Sequence, residues 1–112
     1  MDILFGSGKL RKDCNDSRRA QRRWGAPMAK VLRQRLDELY DADVLAQIGF
    51  LPAPRCHELK GNRAGQLSVD LAGPYRLIFE PANDPVPTKP DGGLDWRRVT
   101  AVRIREVTDT HG

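Results

Sequence analysis

Gln66-Leu67-Ser68-Val69-Asp70-Leu71-Ala72-Gly73-Pro74-Tyr75-Arg76-Leu77-Ile78-Phe79-Glu80 is the stretch that decides the fold. Leu67, Val69 and Leu71 alternate with polar residues, the pattern of a strand with one buried and one wet face. Ala72-Gly73-Pro74 is a tight connection, and Tyr75 to Glu80 reads as a second strand, so the pair is expected to form an antiparallel hairpin. In that second strand Tyr75, Leu77 and Phe79 share one face, whereas Arg76, Ile78 and Glu80 share the other. Arg76 is thereby directed away from the main core, onto the open side of a sheet.

Outward from the hairpin, Arg55 to Leu59 is a brief strand, joined to it by the polar, glycine-bounded turn Lys60-Gly61-Asn62-Arg63-Ala64-Gly65. Beyond it, residues 81–98 carry prolines at 81, 85, 87 and 90 and the run Asp91-Gly92-Gly93, which predicts a long exposed loop. Val99 to Val107 returns as a further strand, and Ile3-Leu4-Phe5 is a short one at the other end of the chain. Two helices are expected before the hairpin. The first is strongly basic, from about Lys9 to Arg23, with Leu10, Cys14 and Trp24 on a thin buried side. Trp24-Gly25-Ala26-Pro27 ends it. The second repeats Met28, Val31, Leu32, Leu36, Leu39 and Tyr40 at three- and four-residue spacing and leaves Lys30, Arg33, Arg35 and Asp37 outside the stripe. Val44, Leu45 and Ile48 either prolong it or add a turn. Tyr40 lies in the stripe and reads as core.

A chain of 112 residues, 39% of them apolar, fits a single domain spanning 1–112. No run approaches the length of a membrane-crossing helix, and Met1 to Phe5 is too short an apolar stretch for a signal peptide. Cys14 and Cys56 have no metal-ligand spacing and read as free thiols, so the expected location is cytoplasmic. Residues 1–36 hold ten Lys and Arg against three Asp, a surplus of seven positive charges, whereas the remainder is net negative. Arg18, Arg19, Arg22 and Arg23 concentrate that charge, which suits either RNA phosphates or a solvated helical face.

The chain has two histidines, His57 and His111, each at an expected strand end. Histidine alone changes charge near neutral pH without help. If the two converge with Arg76 and Lys60, they supply a base, an acid and cations for cutting a phosphodiester bond. Arg76 has a second reading, as the cross-strand partner of Asp70. Adjacent Cys56-His57 and the Asp109-x-His111 pair lack ordinary zinc spacing, so neither metal nor cofactor is expected. Trp96, beside Arg97 and Arg98, suits a loop anchor better than a base-stacking platform.

Three segments together resemble the RelE/ParE toxin superfamily, specifically its HigB-like branch of plasmid maintenance killer proteins. They are His57-Glu58-Leu59-Lys60-Gly61, Tyr75-Arg76-Leu77-Ile78-Phe79, and the C-terminal Asp109-x-His111. The resemblance implies a RelE-like α+β fold, with two helices packed on a mostly antiparallel sheet of four to five strands. It also implies a toxin that cleaves messenger RNA in the ribosomal A site, and a HigA-like helix-turn-helix antitoxin as partner. Carried onto this chain, it assigns His111 as base, His57 as its acid–base partner, Asp109 as an orienting group, and Arg76, Lys60 and Arg63 as phosphate ligands. A ParE-like gyrase inhibitor is the alternative within the fold, and a noncatalytic nucleic-acid-binding regulator the alternative outside it. The family commonly has tyrosine between Asp109 and His111, where this chain has Thr110.

Overall fold

The computed structural model describes residues 1–109. In chain order the elements are β1 (Asp2–Phe5), α1 (Gly8–Asn15), α2 (Ser17–Trp24), α3 (Ala26–Asp41), α4 (Leu45–Gly49), β2 (His57–Glu58), a 3-10 turn (Gly61–Arg63), β3 (Leu67–Asp70), β4 (Tyr75–Pro81) and β5 (Ala101–Asp109). The five strands form one sheet in the order β1-β5-β4-β3-β2, in which β1 runs parallel to β5 and every other pair is antiparallel. The hairpin of β3 and β4 sits where its alternation places it, with Val69 opposite Leu77 and Asp70 opposite Arg76.

One face of the sheet carries the helices. Leu67, Val69, Leu77, Phe79, Val102 and Ile104 pack there against Leu10, Cys14, Met28, Leu32, Leu36, Leu39, Leu45 and Ile48. Burial of these side chains, at about 25 cal/mol per Å² of apolar surface, supplies the main drive for docking helices on sheet. The N-terminal ammonium closes the arrangement: it donates to the carbonyls of Leu39 (3.0 Å), Tyr40 (2.9 Å) and Ala42, which end α3. A positive charge is favourable at that negative helix end.

The basic segment is two helices rather than one. Asp16 breaks it, because its main-chain N–H donates to Lys12 O at the end of α1 while its side chain accepts from Arg18 N (2.9 Å) and Arg19 N (3.3 Å) at the start of α2. Aspartate is among the preferred residues for such a cap. Gly25, at φ +86, ends α2, and Pro27 fits the first turn of α3. Leu45 begins a separate helix, whose first N–H groups donate to Val99 O and Trp96 O of the long loop.

Three expectations about exposure need correction. Tyr40 is exposed, since α3 turns it past the edge of the core. Arg35 is mostly buried, and its Nε donates to Asp70 O at 2.7 Å, pinning α3 to the end of β3. The sheet's second face is not uniformly wet: Ser68 and Ile78, neighbours across β3 and β4, are both buried there.

Candidate functional site

The face of the sheet opposite the helices gathers the polar side chains of interest. His57 pairs with Ser68 in register, and the same row continues through Ile78 to Glu106. The imidazole lies on that face, because Ser68 Oγ is 3.5 Å from His57 Nε2. Its other nitrogen, Nδ1, donates to the carbonyl of Arg55 at 2.9 Å. A carbonyl oxygen can only accept, so Nδ1 carries a proton and the neutral ring presents its lone pair at Nε2. Nε2 is therefore the atom that can take up or return a proton.

The carbonyl that fixes the ring belongs to a residue in an uncommon conformation. Arg55 has φ +48, the left-handed region that side-chain-bearing residues seldom adopt. The preceding carbonyl, of Pro54, accepts from Asp70 N at 2.7 Å, which ties this segment to the end of β3. Residues 52–54, with prolines at 52 and 54, form a turn that leads into it, not an extended approach.

Arg76 extends on the His57 face but is held three ways. Its Nε lies 3.0 Å from Asp70 Oδ1, and its Nη1 donates to Tyr75 O (2.8 Å) and Gly73 O (3.2 Å). The cross-strand pairing that the sequence allowed is thus present. The contact to Oδ1 is one of charge without hydrogen-bond alignment, and that oxygen has no hydrogen-bond partner among the described residues. By strand geometry Arg76 and His57 lie about 12 Å apart at the backbone, two strands across and two residues along.

Arg63 reaches across the sheet to Glu106 on β5 at 2.7 Å and also donates to Gln66 at 3.3 Å. Lys60 is exposed between β2 and the 3-10 turn. Asp109 pairs with Tyr75 at the far end of β5. The alternation of strand side chains puts it on Tyr75's face, opposite to Arg76 and Ser68. Thus Arg76 shares the sheet face of His57, Arg63 reaches Glu106 on that face, Lys60 follows β2, and Asp109 is on the opposite face. His111 and Thr110 lie outside the described residues.

The arginines of α2 divide into two pairs. Arg19 Nε and Arg23 Nη1 bind Asp13 at 3.1 and 2.6 Å, joined by Lys9 at 3.3 Å. Burial alone would raise the pKa of Asp13, which is only 4% exposed, but the hydrogen bonds from Arg23, Arg19 and Lys9 outweigh it and hold the carboxyl at about 2. Arg23 also lies over the Trp24 ring at 5.1 Å. Arg18 and Arg22 are exposed, with no ion pair among the described residues. Because α2 packs chiefly on α1 and α3, this basic surface is remote from His57.

Sequence reasoning missed Asp13 and Arg55. The spacing Lys9-Asp13 is a helical ion-pair signal, but the two arginines come from the next helix. Nothing in the sequence marks Arg55 as left-handed. Trp96 is the anchor expected of it: Nε1 donates to Glu58 at 3.0 Å, and its ring lies so close to Gly49 that an added Cβ would stand 3.1 Å away. Burial, assisted by Glu58, pushes the Cys56 thiol up to about 12, and burial with Asp13 pushes Cys14 to about 11. Neither thiol is ionised near neutral pH, which removes both as nucleophiles.

No family model matches the sequence, and no curated protein matches it. Two solved structures are similar in fold over essentially the whole chain. One is a YoeB/ParE toxin from Agrobacterium tumefaciens, with TM-score 0.58 and 12% identity over 99% of this chain and 100% of that one. The other is a YoeB-YefM complex from Staphylococcus aureus, with TM-score 0.54 and 15% identity over 100% of this chain and 98% of that one. The α+β fold expected from the hairpin and its flanking strands is therefore one shared with these two structures.

Proposed function

We propose that the protein is the toxin of a type II toxin–antitoxin system, of HigB-like type, and an endoribonuclease that cleaves messenger RNA in the ribosomal A site. The observation that carries this reading is the His57 ring, fixed by Arg55 O with Nε2 directed toward Ser68 on the sheet face that Arg76 shares. Its fold likeness to toxins supports the same class.

In the proposed reaction His111 removes the proton from a ribose 2′-hydroxyl, whose oxygen attacks the adjacent phosphorus. The bond to the 5′-oxygen breaks, and His57, entering as the imidazolium with a second proton on Nε2, gives that proton to the leaving oxygen. The products are a 2′,3′-cyclic phosphate and a free 5′-hydroxyl. Asp109, two residues from His111, orients that imidazole, while Lys60, Arg63 and Arg76 hold negative charge on the phosphate. No metal is needed for these steps, so chelation with EDTA is expected to leave cleavage intact. The exposed Arg18 and Arg22, with Arg19 and Arg23, offer phosphate contacts on the helical side.

A HigA-like helix-turn-helix antitoxin is the proposed partner, and one of the similar structures is itself a toxin complex. The proposed location is the cytoplasm; no helix among the described residues is long and apolar enough to cross a membrane. A second reading, gyrase inhibition without cleavage, is favoured by one observation: Arg76 and Arg63 already have internal ion-pair partners. Expression of the protein followed by mapping of messenger 5′ ends separates the two. Cleavage within codons supports the nuclease, whereas intact messenger with DNA-damage signalling supports the gyrase inhibitor.

A further inference from the structure

We infer that Arg55 is the principal phosphate-gripping cation of the His57 site, an inference that rests on the nuclease reading above and names a binding residue that neither motif nor resemblance supplies. Four cations belong to the His57 face or the segments next to it, and they differ in how far they are committed. Arg76 is 22% exposed, with Asp70 and two carbonyls as partners. Arg63 is paired to Glu106 at 2.7 Å. Lys60 is exposed, but as an ammonium it presents a point charge with no fork. The Arg55 side chain is 70% exposed, and its ion pair among the described residues is a long one, 3.5 Å to Asp70 Oδ2.

One carboxylate, Asp70, stands between two guanidinium groups, Arg55 and Arg76, so one positive charge of the three groups is left over. The surplus belongs to the more loosely held partner, Arg55. An incoming phosphate meets a planar fork of donors there, suited to two of its oxygens, without having to break the bonds that Arg76 makes within the hairpin. The main chain of Arg55 adds the second observation. Its left-handed conformation places the carbonyl on His57 Nδ1, so one residue both sets the proton-transfer atom and carries a guanidinium to the Asp70 carboxylate on the same sheet face. Unusual backbone of this kind persists where the surrounding structure holds it, and it concentrates at functional sites.

The test uses Arg55→Asn, because asparagine loses the charge yet accepts positive φ better than most residues. Binding of a single-stranded RNA bearing a 2′-deoxy residue at the cleavage position is measured by fluorescence anisotropy across a salt series. The inference predicts binding about 10- to 100-fold weaker for Arg55→Asn, a salt slope reduced by about 0.7, and partial recovery in Arg55→Lys. Arg98→Gln, which removes a loop arginine bonded to Asp95, is expected to bind as wild type. Nitrogen NMR of His57 checks that Arg55→Asn keeps the proton on Nδ1. Wild-type affinity and slope in Arg55→Asn, with that tautomer retained, would overturn the inference. A variant that loses the tautomer is replaced by Arg55→Lys, for which an unchanged bidentate-dependent affinity is equally contrary. If wild type binds in this Arg55-dependent way yet cuts no messenger, the nuclease reading fails while the phosphate contact stands.

Discussion

Asp70 and Arg76 face each other across the β3–β4 hairpin with Oδ1 and Nε 3.0 Å apart, and Asp70 Oδ1 is buried without an aligned hydrogen bond. Arg76 therefore has a structural duty whatever else it does. Arg76→Ala is expected to cost about 1 to 3 kcal/mol, because it leaves a largely buried carboxylate with only the longer Arg55 ion pair. The double variant Asp70→Asn/Arg76→Gln should recover part of that stability. Thermal unfolding of both, beside their cleavage rates, separates the duties: low cleavage by a stable double variant points to the phosphate, and recovered cleavage points to folding.

Acid should loosen the junction of α1 and α2 in a defined window. The carboxyl of Asp13 is held at about 2 against an ordinary value of 3.8, so its folded pKa is depressed. Its contribution is fully present above about pH 4 and disappears as pH falls toward 2. Asp13→Asn should flatten the stability profile in that window and lower the melting temperature at pH 7. Unfolding curves between pH 2 and pH 7 check both; parallel profiles for wild type and variant would contradict the assignment.

The arginines of α2 should respond unequally to neutral substitution. Arg18→Gln/Arg22→Gln is expected to reduce the salt slope of RNA or ribosome binding by about 0.7 for each lost single-strand phosphate contact, with little change in stability. Arg19→Gln/Arg23→Gln should instead lower stability, because Asp13 loses two partners. A wild-type slope in both double variants would identify the basic surface as a solvated face.

Thr110→Tyr tests the departure from the family's usual C-terminal pattern. Stacking on one base is worth about 1 to 3 kcal/mol, roughly a 5- to 150-fold gain in rate if realised only in the transition state. Single-turnover cleavage by variant and wild type measures it. An equal or slower rate would show that threonine is no handicap.

The fold was legible because its strands declare themselves by alternation. Val69 and Leu77 fall in register, and α3 follows its stripe closely. What escaped was set by tertiary partners. The break at Asp16 had a local signal in Asn15-Asp16-Ser17, polar residues that favour caps and turns, but the arginines on both sides masked it. Arg35 reads as solvent-facing from its position on the helix, yet the Asp70 carbonyl draws it inward. At the site, Arg76 reached the expected face, whereas the register at Tyr75 turned Asp109 to the other. The φ of Arg55 has no sequence signature at all, since glycine is the usual mark of that conformation.

The proposal that His57 and His111 move protons in metal-free cleavage of RNA meets its sharpest test in single-turnover cleavage of a messenger bound in the ribosomal A site, in EDTA, by wild type, His57→Ala and His111→Ala. Cleavage by wild type is expected, with rates lower by about 100- to 10,000-fold in each variant, the usual scale for loss of a general acid or base. Wild-type rates in both variants, or an intact messenger with wild-type protein, would contradict it.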